Sequence, residues 1–460
     1  MSKPYDPRGP RGKSFAEIRA DFAAGRTDPV DELERRLAVI AEREGTVKAF
    51  AALDEAGARK AAAASAARYR AGKPLSPVDG LPVALKDIFE VEGLPTTWGI
   101  ATRGRVAWRD AAIVHALRRG GAVILGKTTL PELGFGAPPA TTNPWDAGRS
   151  PGGSSSGSAA SVGAGFVPVA IGTQGKGSLT RPASFCGAYA FKPGHGTIHR
   201  GGDGGGQETN THVGALAHRL ADAWEVARYL SEVAGPHPGH RGLAGPMTLP
   251  ALQMPKTLVR MTRAGWSRTD EAARKAFDAL CDRLARIGIA VKEAEDISAA
   301  ARLATDLDGA ARALDAISDY ESRWPLIMYL EKEQMQPSGA CSARVVSRGI
   351  ERGAQWSRAD YEAALDVRDA FRAKLAACRA ENTFIITPSA TGAAPKGTSD
   401  TGSSVYQWAS SLAGNPVVSL PLMAADGMPL GFEVQGFIGE DAALMGAARA
   451  LDDAFAAGRI

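Results

Sequence analysis

Gly152-Gly-Ser-Ser-Ser-Gly-Ser158 opens the most informative stretch of the chain, which runs through a small-residue segment to Gly172-Thr-Gln-Gly-Lys-Gly-Ser-Leu-Thr-Arg181. Glycine-rich turns let the backbone approach a substrate closely and offer its N–H groups. These turns carry Ser154, Ser155 and Ser178, so a serine nucleophile and an oxyanion hole can both be built within thirty residues. Upstream, Gly80-Leu-Pro-Val-Ala-Leu-Lys86-Asp-Ile-Phe89 sets one lysine at the end of a short apolar run. Desolvation there lowers the pKa of an amine toward its proton-accepting form. A base is thus available without any histidine.

These residues resemble the amidase signature family of serine hydrolases. The resemblance covers nearly the whole chain, from the helical lead-in at Asp31–Arg70, through Glu132-Leu-Gly-Phe-Gly and Asn143-Pro-Trp-Asp, to Gly414-Asn-Pro-Val-Val-Ser-Leu-Pro-Leu and Gly427-Met-Pro-Leu-Gly. It implies an α/β fold, a large mixed β-sheet flanked by helices on both faces. It also implies catalytic roles for Lys86, for Ser154, the serine the family holds after a cis peptide bond, and for Ser178, the acylated nucleophile. The separation of Ser154 from Ser178, 24 residues by subtraction of their numbers, is the one the family uses. By the same resemblance Lys86 acts on Ser178 through Ser154, backbone N–H groups of Gly175, Lys176, Gly177 and Ser178 form the oxyanion hole, and Ser155 is the structural support of the loop. No cofactor or metal is implied.

The chain departs from the commonest family pattern, Gly-Thr-Asp-Thr-Gly-Gly-Ser-Ile-Arg. Gln174 stands for the Asp, Gly175 for the Thr and Lys176 for a Gly, while the arginine falls at Arg181, three residues after Ser178. Gln174 with Arg181 resembles the branch that includes malonamidase and aryl acylamidases, and argues against the glutaminase subunit of a tRNA-dependent amidotransferase; that subunit and a non-catalytic homologue serving as a structural partner are the alternative readings. Glu433 stands where glutamine is usual. A Cβ at Lys176 would be strained if the turn needed φ above zero. Arg181 and Lys176 could put two cations beside the acyl pocket, so one expectation is an amide carrying a nearby carboxylate, since a guanidinium fork suits that group. The other is that Arg181 braces the loop from inside.

Composition sets wider bounds. The 460 residues, 44% hydrophobic and 23% charged, are ordinary for a folded protein with a sizeable core. The net charge of +4 is mild, and arginines are interspersed with acids (Arg35, Arg36, Glu42, Arg43, Glu44), a solvated helix face rather than a nucleic-acid patch. Four cysteines, Cys186, Cys281, Cys341 and Cys378, lie far apart with no Cys-x-x-Cys pair, which fits a reducing cytoplasm. The basic, proline-rich N-terminus is followed by no apolar signal region, and no apolar run approaches the roughly 18 residues of a membrane span. The expected partner is a small amide, with neither nucleic acid nor membrane; a homodimer is one open arrangement.

One amidase domain is expected over residues 1–460, with a helical lead-in at 1–72, a signature core at 80–200, a variable helical region shaping the substrate pocket at 245–380 and a return to the sheet at 381–460. Within the core, Pro82-Val-Ala-Leu, Ala122-Val-Ile-Leu and Val167-Pro-Val-Ala-Ile read as buried strands alternating with helices at 113–119 and 158–164. Residues 197–210 read as a mobile or substrate-lining loop. Residues 268–292 and 357–380 read as amphipathic helices, with Phe277, Leu280, Leu284 and Ile287 on one stripe. Residues 441–455 read as a closing helix.

Three other readings compete. A glycine and serine run is often only a linker. Gly153-Ser-Ser155-Ser-Gly157 fits the Gly-x-Ser-x-Gly elbow, but residues 143–152 are no strand and no histidine follows His240. Gly121-Ala-Val-Ile-Leu-Gly126-Lys127-Thr128 matches the P-loop pattern literally, yet its middle residues have the content of a buried strand. The seven histidines show no metal spacing, and His237 and His240 read as solvated turn residues.

Overall fold

Short apolar runs on either side of the serine-rich stretch become neighbouring strands. The protein is seen in a computed structural model that describes residues 4–9, 12–100, 105–203, 206–332, 345 and 351–460. Its strands are β1 (Phe50–Leu53), β2 (Pro82–Lys86), β3 (Val123–Thr128), β4 (Val169–Gln174), β5 (Tyr189–Lys192), β6 (His212–Ala217), β7 (Thr257–Arg260), β8 (Ala290–Glu293), β9 (Thr383–Pro388), β10 (Val417–Ala425) and β11 (Met428–Gln435). They form one mixed sheet in the order β1-β3-β2-β4-β6-β5-β10-β11-β9-β7-β8. Strand β2 runs parallel to both β3 and β4. Antiparallel pairs carry the sheet from β4 to β9, and β7 then lies parallel to β9 and β8.

The helices are α1 (Phe15–Ala23), α2 (Pro29–Val47), α3 (Glu55–Arg70), α4 (Ala112–Arg119), α5 (Ser156–Gly163), α6 (Thr180–Cys186), α7 (Leu220–Val233), α8 (Glu271–Arg286), α9 (Ser298–Thr305), α10 (Leu307–Lys332), α11 (Arg358–Ala377), α12 (Trp408–Ala413) and α13 (Asp441–Ala456). Successive side chains of a strand point to opposite faces. Val83 and Leu85 therefore join one core, with residues of α1, α4, α7, α8 and α13, while Ala84 joins another with α2, α3, α5 and α6. Farther along the sheet Leu258 enters the first core and Val259 a third, under α9 to α12. Helices thus cover both faces, and the interior strands read as apolar runs because neither of their faces meets water.

Two expectations need correction. The lead-in is not wholly helical: Phe50–Leu53 forms β1, antiparallel to β3 at the sheet edge. Only four residues long and partly exposed, it carries no alternation to announce it. The helix expected over 268–292 stops at Arg286, and Ala290–Glu293 forms β8, another short edge strand with mostly exposed side chains. His237 and His240 flank a turn, His240 exposed, and the two belong to a group of rings: the His195 centroid lies 5.0 Å from that of His240 and 5.2 Å from that of buried His212.

The P-loop match is strand β3, buried throughout. A Cβ on Gly126 would lie 2.1 Å from the Ala52 carbonyl oxygen, so glycine there lets β1 approach and has nothing to do with phosphate. Lys127 points into the interior and pairs with Asp87 at 2.6 Å. Cys186, Cys281 and Cys378 are free thiols, and Cys341 lies outside the described residues. Among the described residues no helix is long and apolar enough to cross a membrane.

Candidate active site

Lys86 ends β2, flanked by β3 and β4, and is fully buried. Its Nζ lies 2.7 Å from Ser154 Oγ and 2.9 Å from Thr173 Oγ1. Burial lowers its pKa from 10.5 to about 7, against the opposing charge of Asp203. The amine is therefore poised between its charged and proton-accepting forms near neutrality, as a general base must be.

Ser154 follows a cis peptide bond from Gly153, the conformation that the resemblance implies at this serine. The preceding Gly152 has φ of 82°, and a Cβ there would sit 2.9 Å from the backbone of Pro182, so the loop folds against α6 only with glycine at that point. Ser155 ties three segments together. Its N–H donates to the Ser178 carbonyl at 3.1 Å, its hydroxyl donates to the Thr173 carbonyl at 3.2 Å, and it accepts from the Thr173 N–H at 3.3 Å.

Residues 175–178 form the turn between β4 and α6. Among the described residues no hydrogen bond takes up the N–H groups of Gly175, Lys176, Gly177 or Ser178. The next two are satisfied by Gln174, whose Oε1 accepts from Leu179 N at 3.0 Å and Thr180 N at 3.1 Å. A side-chain acceptor thus caps the start of α6, which a glutamine supplies as well as an aspartate. Gln174 Nε2 donates to Ser411 Oγ, and Ser411 Oγ donates to the Lys176 carbonyl, so α12 holds the turn from behind.

Lys176 is not among the residues with left-handed backbone, so its Cβ brings no strain to the turn. Its ammonium pairs with Asp315 of α10. Arg181 lines the cavity wall, yet its fork donates to the Gly402 carbonyl and the Gly153 carbonyl, each at 2.6 Å. These bonds favour the bracing role over carboxylate recognition, because two donors already have acceptors in the protein.

Lys86, Ser154 and Ser178 open onto one cavity of about 390 Å³. The hydroxyls of Ser154 and Ser178 are not hydrogen-bonded to each other among the described residues, and both residues line the cavity. The loop expected at 197–210 contributes Arg200, Asp203, Gly206 and Gln207 to the wall, Gly204 and Gly205 lying outside the described residues. Thr173, the second neighbour of Lys86, has no sequence signal beyond its place in the quoted stretch. Behind the turn, buried Glu433 accepts from Gln407 at 2.9 Å and Gln435 at 3.0 Å, and burial pushes its carboxyl up to about 7.

A family model for Amidase matches residues 32–445. The chain belongs to the amidase signature family. Over 222 residues this amidase is 40% identical to a glutamyl-tRNA(Gln) amidotransferase subunit of Anaeromyxobacter sp. (strain K), a stretch that spans 47% of this chain and 45% of that relative. The match thus takes in less than half of the relative's length. Among solved structures, an amidase is 27% identical with a TM-score of 0.82, covering 96% of this chain and 99% of its own. A bacterial aryl acylamidase of the same family, 20% identical, reaches a TM-score of 0.82 over 96% of each chain and so shares the fold.

Proposed function

We propose that the protein hydrolyses small-molecule amides through an acyl-enzyme on Ser178. The observation that carries this reading is a fully buried Lys86 whose Nζ lies 2.7 Å from Ser154 Oγ in a cavity that Ser178 also lines. Neutral Lys86 takes the Ser154 proton as Ser154 takes that of Ser178, and Ser178 Oγ bonds to the amide carbon. The carbonyl oxygen becomes an oxyanion among the N–H groups of residues 175–178, where each donor contributes about 3–4 kcal/mol in comparable hydrolases. Ser154 returns a proton to the nitrogen, the C–N bond breaks and the amine leaves. Water, deprotonated by the same relay, then cleaves the ester and frees the acid.

Ser155 and Arg181 keep the two serine loops in register. A cytoplasmic setting and a homodimer belong to the same proposal. The 40% identity to an amidotransferase component over 47% of the chain favours a second reading, the glutaminase subunit of such a complex. Copurification from its source and a glutamine assay separate the two: the small-amide reading expects the isolated chain to be active. Released ammonia or amine, measured across an amide panel, tests it directly. Ser178→Ala is expected to lose at least about a thousandfold in kcat while its circular dichroism is unchanged. Retention of more than a few per cent of the rate overturns the assignment of the nucleophile.

A further inference from the structure

Among the described residues, the cations around the active-site cavity are already occupied. Lys176 pairs with Asp315, Arg200 with Asp203 at 2.8 Å, Arg352 with Asp319 at 3.0 Å, and Arg181 with two carbonyls. Lys86, the remaining amine on the wall, is pushed by burial toward its uncharged form. A substrate carboxylate would have to displace one of these partners or enter beside exposed Asp400, which also lines the cavity. Recognition of an anion by this wall is therefore disfavoured on both counts.

The same cavity is also lined by five apolar side chains: Ile88, Trp98, Leu133, Phe135 and Leu326. Trp98 and Leu133 hold left-handed backbone, with φ of 56° and 48°, and the Leu133 N–H donates to the Trp98 carbonyl at 2.8 Å. Large side chains seldom adopt that conformation, and residues held in it cluster at functional sites. Here it turns two apolar groups onto the cavity. Gly134 follows, and a Cβ on it would stand 3.7 Å from Ser154 Oγ, so this apolar segment borders the reacting atoms.

We propose that the site takes an uncharged amide bearing an aryl or branched alkyl group, and not the carboxylate-bearing amide that Arg181 and Lys176 suggested from sequence. The inference rests on the amidase reading above. Its test measures kcat/KM for 3-phenylpropionamide, N-benzylacetamide, butyramide and succinamate, which separates an apolar acyl group from an apolar amine. One of the two aromatic amides should exceed butyramide by roughly 30-fold, the value of burying one ring, and succinamate should fall below butyramide. In Phe135→Ala and Ile88→Ala the aromatic preference should shrink several-fold. A succinamate rate above that of butyramide, or an aromatic preference untouched by both variants, overturns the proposal. A parallel readout ranks labelling rates of two fluorophosphonates, one with a phenylalkyl chain and one ending in carboxylate, by mass at Ser178. Faster labelling by the carboxylate probe contradicts the apolar pocket; hydrolysis of the panel without any label at Ser178 contradicts the nucleophile and leaves the substrate ranking standing. Neither hydrolysis nor label would contradict both.

Discussion

Lys86 is buried at a cost to the fold, and that cost has a sign that can be measured. Its folded pKa of about 7 lies below the ordinary 10.5, so between those values the unfolded chain holds the proton and the native state does not. Stability from this group is therefore lowest below about pH 7 and is recovered as pH rises toward 10.5. Lys86→Met is expected to abolish amide turnover and to raise Tm by several degrees at pH 6, with the gain over wild type shrinking by pH 10. Thermal unfolding of both proteins across that range checks it; a Tm difference independent of pH would remove the buried amine from the account. The same titration predicts that kcat/KM of the wild type falls on the acid side of about pH 7 as Lys86 gains its proton. At this scale the sequence was most legible: Lys86, Ser154, Ser155 and Ser178 lie together as their motifs imply. Thr173 was not, because a threonine near the end of a strand looks the same whether it faces a lysine or solvent.

The element that organises the site is the turn from Gln174 to Arg181, held at its start by Gln174, from behind by Ser411 and at its end by Arg181. Arg181 bridges the Gly153 carbonyl, just before Ser154, to Gly402, and so fixes one serine loop against the other. Charged hydrogen bonds of this kind are worth about 1.5–3 kcal/mol each. Arg181→Leu is expected to lower kcat/KM by about 10–100-fold, equally for butyramide and succinamate, because it loosens geometry without removing a substrate contact. A loss confined to succinamate, seen as a raised KM, would restore Arg181 as a carboxylate ligand. The elements easiest to foresee were those with strong periodicity, such as α8 and α11, and apolar strands buried on both faces. Strands β1 and β8 escaped because each has only four residues and none is buried, and edge pairing leaves no pattern in composition.

Across the whole molecule, the mixed sheet brings segments far apart in sequence to one cavity. Lys86 comes from β2, Ser178 from the turn after β4, and α10 contributes Ser318 and Leu326 to the wall. That convergence was legible only through resemblance to the amidase signature family; periodicity gave the strands and not their order. Beside the site, Lys127 spans from β3 to Asp87, which follows Lys86 and also accepts from the Thr97 N–H at 3.0 Å. Breaking a buried ion pair strands one charge and costs about 3–5 kcal/mol. Asp87→Asn is accordingly expected to lower the urea midpoint of unfolding by an amount matching that loss, and an unchanged midpoint would contradict the role given to the pair. The central claim is that chemistry passes through Ser178 with Ser154 as its relay. Intact-protein mass after reaction with a fluorophosphonate, followed by peptide mapping, tests it most directly: a single adduct on Ser178 is predicted, absent in Ser178→Ala and slowed in Ser154→Ala, whereas an adduct on Ser154, or labelling that survives Ser178→Ala, would contradict it.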